Sequence, residues 1–195
     1  MLEIVFASQN EHKIKEVNEI TNPFKVMASA PSAGFNPEEN AQTFEENSLI
    51  KAKEAVRVEV NNRKYFLADD SGLEIEALNN EPGIYSARYA DTPKARIQKV
   101  LDNLQGVTNR KARFVCAMTL LDENGEVLYK TKGICKGKIA LEPKGENGFG
   151  YDPIFIPEGY DVSMAELSEE TKNLISHRGR ALVEVLLWLK LSKKI

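Results

Sequence analysis

The sequence predicts an α/β fold in which a mixed β-sheet is flanked by helices. The first apolar run, residues 2–7, has the length of a buried strand, and apolar residues at helical spacing follow it. A strand that leads directly into a helix is typical of a parallel sheet, whereas two strand-like runs on either side of residues 122–125 predict an antiparallel hairpin. Both kinds of pairing in one chain indicate a mixed sheet, which we expect to form two lobes with a cleft.

In the first part of the chain, punctuating residues separate the predicted elements. The first helix ends at Asn22-Pro23, residues 24–28 predict a short second strand, and residues 29–41 predict an irregular surface loop. Thr43 starts a capping box, and apolar residues at helical spacing then predict a long helix with one buried face. We expect that face to contain Phe44, Leu49, Ala52, Ala55, Val56 and Val60.

In the rest of the chain, apolar runs predict strands, and Ser or Thr residues before apolar repeats predict helices. The strands are expected at 65–67, 73–78, 113–121 and 126–141, and the helices are expected to begin at Thr92-Pro93, Ser168 and Ser176. The last of these helices places Leu182, Val185, Leu186 and Leu189 on one apolar face. The second half of the chain is therefore also an alternation of strands and helices.

Composition restricts the classes of function. The chain has 195 residues, 42% of them apolar, which is enough for one domain with a sizeable core. A formal charge of −3 argues against binding a nucleic-acid polymer and favours a small anionic ligand held by locally placed cations. Cys116 and Cys135 lack the spacing of a zinc site and are expected to be buried, inert thiols. With no signal peptide or membrane-spanning run in view, we expect a cytoplasmic protein without membrane contact.

Two adjacent carboxylates, Asp69 and Asp70, lie in the segment 68–72 at the centre of the chain. Because Asp, Ser and Gly are common in tight reversals, one interpretation of this segment is a turn between two strands. The other is a metal site, since two close carboxylates are costly unless a cation neutralises them and Mg²⁺ prefers oxygen ligands. The segment alone favours neither interpretation.

Further residues have the chemistry of ligand contacts, and each also has a structural interpretation. Residues 8–13 lie where a strand gives way to a helix, so they could bind an anion through free N–H groups and Lys13 or could simply cap the helix. Residues 149–152 combine aromatic rings with glycine and suit stacking on a base, but they also suit a tight turn. Residues 176–179 form another helix start that suits a phosphate or a purine carbonyl.

Two single charged residues complete the candidates. Lys172 either faces the same ligand as residues 176–179 or complements the negative end of its own helix. Glu39, in an acidic loop, either supplies a second metal oxygen or stabilises the start of the next helix. Lys51 and Lys53, on that helix, are read as an ordinary solvated face.

Taken together, these segments resemble a known family. In order, the motifs are Ser8-x-Asn10-x-x-Lys13, Ala68-Asp69-Asp70-Ser71-Gly72-Leu73, Pro82-Gly83-Ile84-Tyr85-Ser86-Ala87-Arg88-Tyr89, Phe149-Gly150-Tyr151-Asp152-Pro153 and Ser176-His177-Arg178-Gly179. Their order and spacing closely resemble the inosine triphosphate pyrophosphatase family, which removes non-standard purine nucleoside triphosphates. The resemblance extends almost end to end, with Gln9 and Ala41 at positions where the family often has glycine.

The resemblance implies a Mg²⁺-dependent hydrolase that splits ITP, dITP and XTP into the monophosphate and pyrophosphate. It also implies an elongated single domain of two lobes over residues 1–195, a deep active-site cleft and a homodimer. Asp70 matches the general base and a metal ligand, and Glu39 matches the other metal carboxylate. The matched substrate contacts are Ser8, Gln9, Asn10, Glu11, His12, Lys13, Ser71, Phe149, Gly150, Tyr151, Asp152, Lys172, His177 and Arg178. Within 68–72 we expect a strand-end turn that presents Asp70, with Asp69 as a supporting neighbour.

Two alternative functions remain at this point. A nucleotide-binding regulatory module would need the anion-binding and base-stacking residues but would not need Asp70 beside a metal. A general Mg²⁺-dependent nucleotide phosphatase would use similar residues but would release orthophosphate instead of pyrophosphate. Product analysis separates all three functions.

Overall fold

The computed structural model describes residues 1–195, and its centre is one six-stranded mixed sheet flanked by helices. The strands are β1 (Leu2–Phe6), β2 (Val26–Ser29), β3 (Tyr65–Ile75), β4 (Lys111–Asp122), β5 (Val127–Ile139) and β6 (Phe155–Pro157). The helices are α1 (Glu11–Thr21), α2 (Phe44–Val58), α3 (Pro93–Asn103), α4 (Glu169–Ile175) and α5 (His177–Leu191). Short 3₁₀ turns occupy Asn22–Phe24, Glu76–Leu78, Gly83–Arg88, Asp152–Ile154 and Met164–Glu166.

The sheet contains both parallel and antiparallel pairs, in the order β2-β1-β3-β4-β5-β6. The first strand pairs in parallel with β2 and β3, as a strand–helix opening requires, whereas β5 and β6 are antiparallel. The predicted mixed α/β class is therefore confirmed. No helix in the structure combines the length and the apolar character needed to cross a membrane.

The central strand β3 is longer than predicted, and the turn expected at 68–72 is wrong. Asp69 and Asp70 lie inside a continuous strand of 11 residues. The strand is buried on both faces, because Leu67, Ala68 and Leu73 are inaccessible to solvent. Turn-forming residues occur in this strand because contacts made by distant segments compensate the two carboxylates, and tertiary contacts of this kind override local propensity. The strand then ends in a 3₁₀ turn instead of continuing to residue 78.

Two compact units are distinguished by their internal contacts, and each has its own core. Unit 1 comprises residues 1–70, 116–133 and 178–195, and its core includes apolar residues of β1 together with Leu182, Val185, Leu186 and Leu189 of α5, as predicted for that helix. Unit 2 comprises residues 71–115 and 134–177 and has a separate core. That core contains Leu73, Ile75, Val100, Leu104, Phe114, Ile139, Ile154 and Phe155.

Local signals located most helix starts correctly. Thr43, Thr92 and Ser168 each cap a helix by accepting a backbone N–H through the side-chain oxygen. Val60 was wrongly placed on the buried face of α2, because the helix ends at Val58 and this residue is 86% exposed. The two cysteines are free and buried, as predicted.

Candidate active site

Asp69 is fully buried on β3 and is surrounded by cationic side chains of unit 1. Its Oδ1 accepts a hydrogen bond from Lys13 Nζ at 2.9 Å, and its Oδ2 accepts two from Arg178, at 3.2 Å from Nε and 3.0 Å from Nη2. Burial alone would raise the pKa of this carboxyl, but the charges of Lys13 and Arg178 outweigh burial and hold the pKa well below its usual range. Asp69 is therefore a permanently charged anchor for two cations.

Asp70, the next residue of β3, interacts with a different cation. Its Oδ1 accepts a hydrogen bond from Lys51 Nζ at 3.0 Å, and the same Nζ lies 3.2 Å from Oε2 of Glu39. The second oxygen of Asp70, Oδ2, is buried and has no hydrogen-bond partner. Two carboxylates thus converge on one ammonium group, and one buried oxygen retains its capacity to bind a ligand.

The two neighbouring carboxyl groups differ in acidity. Burial raises the pKa of Asp70, and the attraction of Lys51 offsets that effect only in part. Burial would also lower the pKa of Lys51, but the surrounding carboxylates, Asp70 first among them, raise it above its usual value. Lys51 therefore stays protonated, while Asp70 accepts a proton more readily than an ordinary exposed carboxylate does.

The start of α1 shows the helix cap that was one of the two interpretations of residues 8–13. Asn10 caps the helix, since its Oδ1 accepts the N–H groups of His12 at 3.0 Å and Lys13 at 3.3 Å, and Ser8 Oγ accepts the N–H of Asn10. Gln9, Glu11 and His12 lie at the surface. The Nε2 of Gln9 donates a hydrogen bond to the backbone carbonyl of Phe35, in the loop between β2 and α2. Lys13 is not a solvated lysine, because it reaches the buried Asp69 carboxylate.

Arg178 is buried in unit 1 between two carboxylates. Besides its two bonds to Asp69, it donates from Nη1 to Glu16 Oε2 at 2.5 Å, and its side chain is only 2% exposed. Burial would lower the pKa of the guanidinium, but Asp69 and Glu16 raise it above its usual value. Glu16 lies on α1 one turn after Lys13, so this helix contributes a cation and a carboxylate to the same network.

Unit 2 holds a second cluster around Asp152. Its Oδ2 accepts the N–H of Phe149 at 2.9 Å and a hydrogen bond from Lys172 Nζ at 2.7 Å. The same Lys172 ammonium lies 4.8 Å from the centre of the Phe149 ring, a cation–π distance. A Cβ on Gly148, which has φ +75°, would collide with the Asp152 carboxylate. Glycine is required there because the turn brings backbone and carboxylate into contact.

The aromatic residues of unit 2 have two different surroundings. Tyr151 is buried in the core and donates its hydroxyl to Ser86 O at 2.8 Å, so the structural interpretation applies to this ring. Phe149 is half-buried at a turn with an exposed Gly150. His177 stacks on Phe114 with ring centres 4.7 Å apart and an interplanar angle of 15°. Phe114 therefore fixes the plane of the imidazole.

The oxygen donors in unit 1 suit a hard divalent cation. Asp70 and Glu39, the predicted metal ligands, are brought together by Lys51, and the unpartnered Oδ2 of Asp70 is a carboxylate oxygen of the kind Mg²⁺ prefers. No group of three or more His, Cys, Asp and Glu side chains has the arrangement of a metal centre. One or two carboxylates of this kind would suit a Mg²⁺ whose remaining ligands are water or the phosphate oxygens of a substrate.

Three side chains in these clusters escaped prediction from the sequence. Lys51 looked like a solvated helix lysine, although its position four residues before Ala55, on the predicted apolar face of α2, was an available signal. Glu16 had a weaker signal, as an acidic residue next to the apolar Val17 on α1. Phe114 looked like an ordinary core residue, and only the tertiary structure places it against His177. Ser71 follows Asp70 on β3 and is half-buried.

The chain is similar to proteins of one family along most of its length. A model described as the Ham1 family matches residues 4–188. A dITP/XTP pyrophosphatase of Bacillus subtilis is 47% identical over 190 residues, which is 93% of this chain and 94% of that protein. One from Prochlorococcus marinus is 45% identical and covers 91% of this chain and 89% of its own.

Solved structures give the same result. The Ham1 protein of Staphylococcus aureus matches with a TM-score of 0.84 and 42% identity, covering 97% of this chain and 99% of that one. A HAM1 protein from Coxiella burnetii matches with a TM-score of 0.85 and 43% identity over the same shares of the two chains. The fold described above is therefore the fold of these proteins.

Proposed function

This chain belongs to the Ham1 family, and we propose that it hydrolyses non-standard purine nucleoside triphosphates, namely ITP, dITP and XTP, to the monophosphate and pyrophosphate. The family membership confirms the resemblance found in the sequence motifs. The relatives named dITP/XTP pyrophosphatase match more than nine tenths of this chain, so the similarity that supports the proposed activity covers nearly the whole protein.

The arrangement of Asp70, Lys51 and Glu39 is the observation that carries the proposal. A nucleotide-binding module has no need of a buried carboxyl group with a raised pKa and an unpartnered oxygen, because such a group reduces stability. A hydrolase does need one, since a carboxylate that accepts a proton from water is a general base. Asp70 is the residue to which we assign this role.

We assign Mg²⁺ to Asp70 and Glu39 as its protein ligands. When bound to a triphosphate, Mg²⁺ acts as a Lewis acid that neutralises charge on the phosphate oxygens. Charge balance supports the assignment. In the unit 1 cluster, the carboxyl groups of Glu16, Glu39, Asp69 and Asp70 outnumber the cations Lys13, Lys51 and Arg178, so the cluster by itself does not attract a polyanion.

We assign the phosphates to the cations of the same unit. Lys13 is only partly buried and is held by Asp69, so it offers an ammonium group of fixed position for the charge that develops on the pyrophosphate leaving group. Arg178 is enclosed by Asp69 and Glu16, so in this chain its immediate effect is to orient Asp69. The ion pair of Asp69 and Arg178 therefore orients Lys13, which is the cation assigned to the phosphates.

We assign the purine base to the side chains of unit 2. The half-buried Phe149 ring offers a stacking surface, and Lys172 and His177 offer hydrogen-bond donors. Hypoxanthine and xanthine carry a 6-oxo acceptor where adenine carries an amino donor. A buried donor that adenine leaves unpaired costs about 1–3 kcal/mol. This cost favours ITP and XTP over ATP.

The decisive experiment is pyrophosphate release from a panel of ITP, dITP, XTP, ATP and GTP, with and without Mg²⁺. We expect release from the first three, little from ATP, and none when EDTA removes the metal. Release of orthophosphate instead would identify a general phosphatase. Tight ITP binding with no product would identify a regulatory module, and undiminished hydrolysis in EDTA would reject the assigned cofactor.

Two expectations from the sequence stay predictions. The homodimer implied by the resemblance is tested by light scattering coupled to size-exclusion chromatography, where one protomer has a mass of 21.8 kDa. The cytoplasmic location is tested by cell fractionation. The hydrolysis proposed above depends on neither result.

A further inference from the structure

We propose that Asn47 is a positioning residue, whose side-chain amide holds the Glu39 loop against α2 and so keeps the Glu39 carboxylate beside Lys51 and Asp70. Asn47 belongs to none of the sequence motifs that indicate a nucleotide site. It is a polar residue on the inner face of α2 and is only 1% exposed.

The single side-chain hydrogen bond of Asn47 leads to the loop. Its Oδ1 accepts the backbone N–H of Ala41 at 3.1 Å, whereas its Nδ2 is buried and has no partner. The amide cannot be reversed, because Nδ2 would then face the Ala41 N–H and two donors would meet. The buried Nδ2 is an unsatisfied donor and therefore lowers the stability of the fold. The one hydrogen bond that the side chain does make is to the loop.

A second contact joins the same loop to the same helix. Glu39 Oε2 lies 3.2 Å from Lys51 Nζ, and Lys51 follows Asn47 by four residues. Four helical residues rise about 6 Å, and two residues of extended chain reach at most about 7 Å. Residues 39 and 41 therefore match two consecutive turns of α2, with the loop running opposite to the helix. Because of this match, the bond between Asn47 and Ala41 determines where Glu39 lies relative to Lys51.

The loop depends on such contacts because it has no regular structure of its own. Residues 35–41 belong to no helix or strand, and the anchor at their start is the buried Phe35. The Asn47 bond ties the backbone near the other end, two residues beyond Glu39. Without it, the Glu39 carboxylate samples a wider volume and loses its fixed distance to the Asp70 site.

Neighbouring Ser48 supplies a matched control. It is also completely buried on α2, and its Oγ bonds to Thr119 Oγ1 at 2.7 Å and to Glu45 O at 2.9 Å. At these adjacent buried positions, Asn47→Leu removes one side-chain hydrogen bond and Ser48→Ala removes two. Only the first of them releases the loop.

Amide hydrogen exchange measures the clamp directly and does not depend on the proposed function. We expect the Ala41 amide to exchange roughly 10-fold faster in Asn47→Leu than in the wild type, and at the wild-type rate in Ser48→Ala. We expect Asn47→Asp, which keeps an acceptor oxygen in place, to restore slow exchange. An Ala41 amide that exchanges equally in the wild type and Asn47→Leu would overturn the proposal.

A double-mutant cycle tests whether Asn47 acts through Glu39; this arm rests on the proposed metal site. Calorimetric binding of Mn²⁺ to the free protein is compared for Asn47→Leu, Glu39→Gln and the double variant. We expect Asn47→Leu to bind Mn²⁺ roughly 10-fold more weakly than the wild type does. We expect the double variant to bind Mn²⁺ as weakly as Glu39→Gln alone. Equal weakening in both backgrounds rejects the action through Glu39. A wild type that binds no Mn²⁺ rejects the metal assignment, and the exchange result then decides the clamp alone.

Discussion

Asp69 and Asp70 are consecutive residues of β3, yet their carboxyl groups are held by different cations and have pKa values shifted in opposite directions. The cause is the geometry of a strand, in which successive side chains point to opposite faces. Asp69 meets Lys13 and Arg178, whereas Asp70 meets Lys51. One carboxylate is thereby fixed as an anchor, and the other is left able to exchange a proton.

Replacing the proton-accepting group should stop turnover without unfolding the protein. We expect Asp70→Asn to lower kcat by about 10²–10⁴-fold, because general-base catalysis contributes that much. The melting temperature should not fall by more than a few degrees, since a buried carboxyl with a raised pKa is itself a cost to stability. Pyrophosphate release and calorimetric ITP binding measure the two effects.

The exposed Glu123 in the β4–β5 hairpin gives a control of equal chemistry, so Glu123→Gln should behave as the wild type. If Asp70→Asn kept more than a tenth of the wild-type kcat, Asp70 would not be the base.

Removing the cation beside Asp70 should move the acid limb of the pH–rate profile. Lys51 lowers the pKa of Asp70, so Lys51→Met should raise that pKa further. Because activity requires the deprotonated carboxylate, the rise in kcat/KM with pH should then occur at higher pH than in the wild type.

Lys53 is exposed on the same helix and serves as the matched control, so Lys53→Met should leave the profile unchanged. An acid limb that stays in place or moves to lower pH in Lys51→Met would show that Lys51 does not set the acidity of Asp70.

The anchor carboxylate should make the fold sensitive to acid. The folded-state pKa of Asp69 is far below its unfolded value of about 3.9, so its stabilisation is complete above that pH and is lost as the pH falls below it. We expect Asp69→Asn to be less stable by roughly 3–5 kcal/mol at pH 7, because Lys13 and Arg178 lose their buried partner. Urea unfolding from about pH 2.5 to 7 should show a shallower pH dependence in the variant. Parallel curves for the two proteins would contradict this account.

The turn of unit 2 should be sensitive to a single methyl group. Gly148→Ala introduces both a left-handed alanine and a collision with Asp152, whereas Gly159→Ala introduces the left-handed alanine alone. We expect both to cost about 1 kcal/mol of stability through the backbone. Only Gly148→Ala should raise the KM for ITP and reduce the preference for ITP over ATP, because it displaces the partner of Lys172. If Gly148→Ala and Gly159→Ala had the same KM and the same preference for ITP, this turn would have no role in base recognition.

The sequence by itself determined the features that depend on neighbouring residues. The caps Thr43, Thr92 and Ser168 were identifiable because a cap bonds to an N–H two or three residues away. The mixed sheet followed from short apolar runs and turn residues, and the family followed from motifs whose order is written in the chain. Asp70 belongs to such a motif, so the sequence alone identifies it as a candidate site residue.

Only the tertiary structure decided what surrounds those residues. Lys51 and Lys53 are both lysines on α2, yet one is buried between two carboxylates and the other is exposed. The segment 68–72 reads as a turn but forms a strand, because Lys13 and Arg178 neutralise Asp69 from positions 56 and 109 residues away. An ion pair across such a separation leaves no periodic trace in the sequence. Its energy depends on burial and distance, and folding alone sets both.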